Sequence, residues 1–181
     1  MNVRKATVSL NLNDAEKSIK LYLYIFIIGL VLSGITAFPL ESELALLDSL
    51  IGEGTGFSAY LPDISLWVSR VYEGLSETNK KYPFIAYGTD WLAFAHLVLA
   101  ILFIGPLRDP VKNIWVVEFG IICCLLLIPC ALICGSVRSI PYFWRFIDCC
   151  FGIFGLIPLF LAWKKIKFIE RTAMEKVLTG L

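Results

Sequence analysis

Four stretches of this chain are apolar over roughly the 20 residues that a helix needs to cross the hydrocarbon core of a bilayer. They cover residues 21–38, 87–107, 115–135 and 146–165. No other feature limits the fold so severely. In lipid a backbone N–H or C=O has no water to bond, so a segment of this length must satisfy its own hydrogen bonds as a helix. Composition agrees: 17% of the 181 residues are charged and 58% are hydrophobic, whereas soluble domains carry about a quarter charged. The expectation is an all-α integral membrane protein, a single domain with four transmembrane helices in a bundle. The first run is longer than the apolar core of a signal peptide, and cleavage after Ala37 would put the bulky Ile35 in a position that wants a small residue. It is therefore read as a retained helix.

Orientation follows from the lysines and arginines in the short flanks. The leader, residues 1–20, carries Arg4, Lys5, Lys17 and Lys20; the tail, residues 166–181, and its approach carry Lys164, Lys165, Lys167, Arg171 and Lys176. The long connection 40–86 is mostly acidic, with Glu41, Glu43, Asp48, Glu53, Asp63, Glu73 and Glu77. Both termini are expected in the cytoplasm, and an even number of spans agrees in placing them on one side. Within the leader, Asn13 or Asp14 is placed to cap a helix that either follows the membrane surface or enters the first span directly.

The connection 40–86 is expected to form an extracytoplasmic cap of two amphipathic helices. ESELALLDSLIG sets Leu44, Leu47 and Ile51 at helical spacing and ends in glycine. DISLWVSRVYEGLSETNKKYP puts Ile64, Trp67, Val68, Val71, Tyr72 and Leu75 on one stripe, with Asp63 as N-cap and Pro83 beyond the end. Neither is apolar enough to span. The connections GPLRDPVKN and SVRSIPYFWR are short, so the second, third and fourth spans should be antiparallel neighbours. Pro129 and Pro158 should kink the third and fourth spans, and Gly120, Gly135, Gly152 and Gly155, with Ala131, allow helices to approach closely.

Ionisable groups inside a bilayer are costly and normally face protein or water, so each one in a span is a functional hypothesis. Asp90 and His96, the single histidine, interrupt the second run; Arg138, Arg145 and Asp148 surround the third connection. All of these but His96, which lies deeper, fall in the outer half of the expected bundle. Asp148 can accept from Arg145, three residues earlier, and Asp90 from Arg138 or Arg145, as registry pegs or as the walls of an outward-opening pocket. Trp91 and Trp144 could wall the same pocket. His96 follows Asp90 by six residues, about 120° away on a helix, so the two do not share a face. Asp148 is its more natural carboxylate partner, and a single bond to a carbonyl or hydroxyl is the simpler alternative. Glu118 lies apart from the rest, one turn into the third span near Arg108 and Lys112.

Six cysteines fall in the spans, at 123, 124, 130, 134, 149 and 150. There is no CxxC, and one histidine is too few to complete a zinc site around Cys130 and Cys134 or to hold haem by two axial imidazoles. They are read as small apolar packing residues. No metal and no cofactor is expected. Phosphate loops, HExxH and GxSxG are absent, and there is no basic stripe with aromatics for nucleic acid.

Three functions fit these features. The first is binding or transport of a small amphiphile or membrane lipid, with Asp90, Trp91, His96, Arg138, Trp144, Arg145 and Asp148 as ligand contacts. The second is a membrane-embedded enzyme using His96 with Asp90 or Asp148 for proton transfer on a lipid-soluble substrate. The third is a structural or pore-forming subunit of a membrane assembly, such as a homo-oligomer, in which Gly152 and Gly155 face a partner.

Overall fold

The computed structural model describes residues 2–179. Among these there is no strand, and the chain is all-α with four helices long and apolar enough to cross a membrane: Leu12–Ala37, Pro83–Arg108, Ile114–Val137 and Tyr142–Glu175. The protein thus has the build of a multi-pass membrane protein. The elements are α1 (Asn2–Ala37), α2 (Leu40–Ile51), a 3-10 turn (Gly56–Ala59), α3 (Pro62–Lys81), a second 3-10 turn (Pro83–Ala86), α4 (Tyr87–Leu102), α5 (Ile104–Arg108), α6 (Ile114–Val137) and α7 (Tyr142–Thr179). They form two compact units, Met1–Gly29 with Ala100–Leu181, and Leu30–Leu99; α1 and α4 each run from one unit into the other.

In the first unit, α6 packs along α7. Buried residues recur at helical spacing: Ala15, Ile19 and Leu23 on α1, Val117, Gly120 and Cys124 on α6, Leu159, Ala162 and Ile166 on α7. Glycine lets the backbones meet. A Cβ on Gly152 would sit 2.7 Å from the Cys124 carbonyl oxygen, and one on Gly120 would strike the Phe103 and Leu159 side chains. Lipid tails are as apolar as leucine, so helix contact in a bilayer depends on such close packing rather than on the hydrophobic effect. Gly152 and Gly155 therefore face their own chain, Gly155 toward Cys124 and Phe26, not the outer surface that the assembly reading required. Phe26 also stacks at a tilt on Phe103, centroids 4.7 Å apart.

The leader enters the first span as one helix, so Asn13 and Asp14 lie inside α1 rather than capping it; Ser18 donates to the Asp14 carbonyl at 2.8 Å. The second span is broken near its end: α4 stops at Leu102 and the chain resumes as α5 after Phe103. Pro106 is the cause, because it has no N–H for the Leu102 carbonyl. The turn to α6 is tied by Asp109, which accepts from the Lys112 N–H at 3.0 Å, and by Asn113, which donates to the Gly105 and Asp109 carbonyls. Pro129 and Pro158 lie inside continuous helices and interrupt neither.

In the second unit, α2 packs on α3. The expected stripe is real: Ile64, Trp67, Val71, Tyr72 and Leu75 are half-buried and Val68 is buried. Its polar members were not anticipated. Ser65 and Ser76 are buried on the same helix, and Ser69 clasps α2: its hydroxyl donates to Asp48 at 2.5 Å and accepts from the Glu53 N–H at 2.9 Å. Asp63 is not the N-cap; Pro62 opens α3 at its first position, where a missing N–H costs nothing, and Asp63 follows in the first turn, favoured there by the helix dipole. Gly34 of α1 lies so close to α4 that a Cβ would be 3.0 Å from the Ala93 carbonyl oxygen.

Candidate functional site

The second unit contains a cavity of about 210 Å³. It lies where α1 ends, α2 begins and α4 begins, with α3 alongside. Its polar walls are Glu41, Ser42, Asn79, Thr89 and Asp90; its apolar walls include Phe38, Leu40, Leu75 and Ala86. The sequence explains the convergence. Pro39 follows Phe38 and forces the chain out of α1, because the residue before proline is pushed away from helical geometry. Leu40 then opens α2, and Glu41 in its first turn lines the cavity. Asn79 continues the buried stripe of α3, four residues after Leu75, and Asp90 stands in the first turn of α4, where the helix dipole favours a carboxylate.

Asn79 and Glu41 are bonded to each other: the Asn79 amide donates to Glu41 Oε2 at 2.8 Å. With Ser76 as a second donor, that bond holds the Glu41 carboxyl below its ordinary range, and Lys80 adds a smaller attraction. The Asn79 carbonyl oxygen is buried and has no hydrogen-bond partner. Asp90 is half-buried. No lysine, arginine or histidine lines the cavity, so the charged groups in its wall are the carboxylates of Glu41 and Asp90.

His96 is half-buried on α4 and is not part of these walls. Its Nδ1 lies 2.7 Å from the Leu92 carbonyl oxygen. A carbonyl can only accept, so Nδ1 carries the proton and the ring is satisfied within its own helix. This is the simpler of the two arrangements expected. Trp91 is exposed and stacks edge-on with Tyr87 and Phe94, at 5.8 and 6.0 Å, as an interfacial aromatic does.

Arg138, Trp144, Arg145 and Asp148 belong to the first unit. The expected Arg145–Asp148 ion pair is not formed among the described residues. Instead the Arg145 Nε donates to the Ile140 carbonyl at 2.7 Å, and its stem covers Gly135 while the guanidinium lies 5.5 Å from the Tyr142 ring centre. The reason is the end of α6. The Ser139 N–H bonds the Ser136 carbonyl at 3.2 Å and the Ile140 N–H bonds the Gly135 carbonyl at 2.9 Å, with Ser139 at φ 57°. This is a Schellman closure with serine in the left-handed position usually given to glycine. A helix C-terminus is rich in unpaired carbonyls and attracts cations, so Arg145 locks the turn rather than reaching Asp148. Arg138 is the exposed C-cap of the same helix.

Two further outcomes concern groups outside the expected pocket. Glu118 accepts from the Trp163 indole N–H at 3.0 Å, joining α6 to α7. Of the cysteines, which are all free, Cys124 and Cys149 are buried as packing residues, but Cys123, Cys130, Cys134 and Cys150 lie on the exposed face. No protein-family model, curated protein or solved structure matches this chain.

Proposed function

We propose that this protein, with both termini in the cytoplasm, holds the polar end of a small amphiphile or lipid in the Asp90 cavity, on the outer side of the membrane. The observation that supports this most is the mixed wall, the carboxylates of Glu41 and Asp90 together with the apolar Phe38, Leu40 and Leu75. Binding sites for small molecules are concave, largely apolar, and carry a few convergent polar groups. At about 210 Å³ the cavity takes a headgroup, and an apolar tail must lie outside it. Because the only charged groups in the walls are carboxylates, the complementary head is an ammonium or another charged donor. Asp90 is the anchor in this reading, and Glu41, already held by Asn79 and Ser76, is the oriented second acceptor.

The test uses the full chain in lipid nanodiscs with a fluorescent long-chain alkylammonium probe and an alkyl sulfate of equal chain length. The wild type should retain the ammonium and not the sulfate. Asp90→Asn should weaken ammonium binding about tenfold, the scale of one charge-assisted hydrogen bond, while circular dichroism stays unchanged. Equal retention of both probes, or an unaffected Asp90→Asn, removes the proposal.

A further inference from the structure

A second cleft, of about 420 Å³, lies in the first unit between α1 and α7. Its walls are Asp14, Ala15 and Ser18 from α1, and Lys164, Lys165 and Phe168 from α7. Nothing in the proposed function uses these residues. Three properties set the cleft apart from an ordinary solvated surface.

The first is its depth. Ser18 is one turn before the uncharged run that opens at Leu21, and Lys164 directly follows Trp163 at the end of the apolar run of α7. Lysine and tryptophan collect at this level because it is where hydrocarbon gives way to headgroups. The second is its charge. Asp14 stands on one wall and Lys164 and Lys165 on the other, and among the described residues they form no ion pair with each other. The Lys164 ammonium lies over the Phe160 ring, 4.7 Å from its centre. Opposite charges therefore face one space without closing it, an arrangement that suits a dipolar ligand better than a simple anion. The third is what adjoins it. Leu21, Ile25 and Ile28 continue up α1 from Ser18 at spacings of three and four, and all are more than half exposed. Ser18 to Ile28 covers about 15 Å at 1.5 Å per residue, half of the roughly 30 Å hydrocarbon thickness. That is the path of one acyl chain in one leaflet.

We propose that this cleft is a binding site for a phospholipid whose headgroup carries a primary amine. Its phosphate sits on Lys164 and Lys165, its ammonium donates to Asp14, and an acyl chain follows the Leu21–Ile25–Ile28 stripe. Lysine binds phosphate as a point charge and needs no bidentate geometry. The carboxylate supplies selectivity: a quaternary choline has no N–H to give Asp14, and a glycerol head has no charge to offer it. The site shares no residue with the Asp90 cavity and differs from it in carrying lysines for a phosphate.

Native mass spectrometry of the full chain tests this directly. The detergent-solubilised protein is offered phosphatidylethanolamine, phosphatidylcholine and phosphatidylglycerol with identical acyl chains. Phosphatidylethanolamine should be retained, one per chain, about tenfold over the other two. Asp14→Asn should abolish that preference while lipid still binds. Lys164→Gln with Lys165→Gln should reduce retention of all three, and the paired Lys→Arg variant should restore it; both variants change exposed side chains, and circular dichroism checks the fold. Equal retention of the three lipids by the wild type overturns the proposal. So does a preference for phosphatidylglycerol, which would mark a plain basic patch, and so does an ethanolamine preference that survives in Asp14→Asn. Because Asp90→Asn leaves this cleft untouched, loss of one site does not mimic loss of the other.

Discussion

The two units hold themselves together by opposite means. In the first, α6 and α7 meet through backbone contact at Gly152 and again at Gly120, where Phe103 and Leu159 are buried, with the Trp163–Glu118 bond as a cross-helix polar tie. In the second, α2 and α3 are joined by side-chain hydrogen bonds, Ser69 to Asp48 and Asn79 to Glu41, and α2 has no fully buried residue. The difference follows from the solvent each segment faces. Between lipid-exposed helices hydrophobic attraction is weak and close packing has to replace it. In the acidic, glycine-punctuated connection water is present, apolar burial is limited, and directional bonds between short polar side chains set the register.

The largest effect that this contrast predicts is at Gly152. Any Cβ there meets the Cys124 carbonyl oxygen, which is backbone and cannot swing aside. Overpacking of a core costs about 1–3 kcal/mol, and Gly152→Leu should reach the upper end. Thermal unfolding in detergent should show the loss, and hydrogen exchange should find it in α6 and α7 with little change at 40–81. Comparable loosening of both segments would mean that the units are not independent in energy.

The converse variant is Ser69→Ala. Its hydroxyl both donates to Asp48 and accepts from the Glu53 N–H, so one atom ties α2 and the turn after it to α3. A net hydrogen bond is worth about 1 kcal/mol, and two share this atom. Faster hydrogen exchange at 40–60, with the midpoint for the spans unmoved, is the expected result. If α2 keeps its protection, the half-buried Leu44, Leu47 and Ile51 are holding it instead.

The contrast also explains what could be read from sequence. The four spans were legible because apolar length alone determines them, whereas the extent of the helices was not. The helices that carry the first and fourth runs are longer than the runs themselves, Asn2–Ala37 and Tyr142–Thr179; a helix continues past an apolar run because its backbone bonds do not depend on hydropathy. Asp90 was visible in the sequence as a charge in an apolar run, but its neighbours in the cavity, Glu41 and Asn79, were not. The stripe on α3 was traced through apolar residues and stopped at Leu75. Followed by spacing alone it continues to Ser76 and Asn79, and that would have pointed to the polar wall. Arg145 misled for a different reason: a carboxylate three residues away is visible in sequence, whereas a carbonyl exposed by the closure of α6 is visible only in three dimensions.

The smallest predicted effect concerns pH and tests whether the polar unit depends on charge at all. Glu41 has its carboxyl lowered from the ordinary 4.5, first by the Asn79 hydrogen bond, then by Ser76 and the nearby Lys80. A carboxyl lowered in the folded state adds stability that is fully present above its unfolded value and is lost as pH falls through its folded value. Hydrogen exchange at 40–81, corrected for the intrinsic rate, should therefore be flat from neutrality down to about pH 5. Protection should then decline below 4.5 in the wild type and decline less in Glu41→Gln, whose amide has no proton to take up. Since Glu41 is solvent-accessible, screening keeps the change small. A decline that begins above pH 5, or one that Glu41→Gln leaves unaltered, would assign the acid sensitivity of the second unit to another carboxylate, with Asp48 on Ser69 the next to replace.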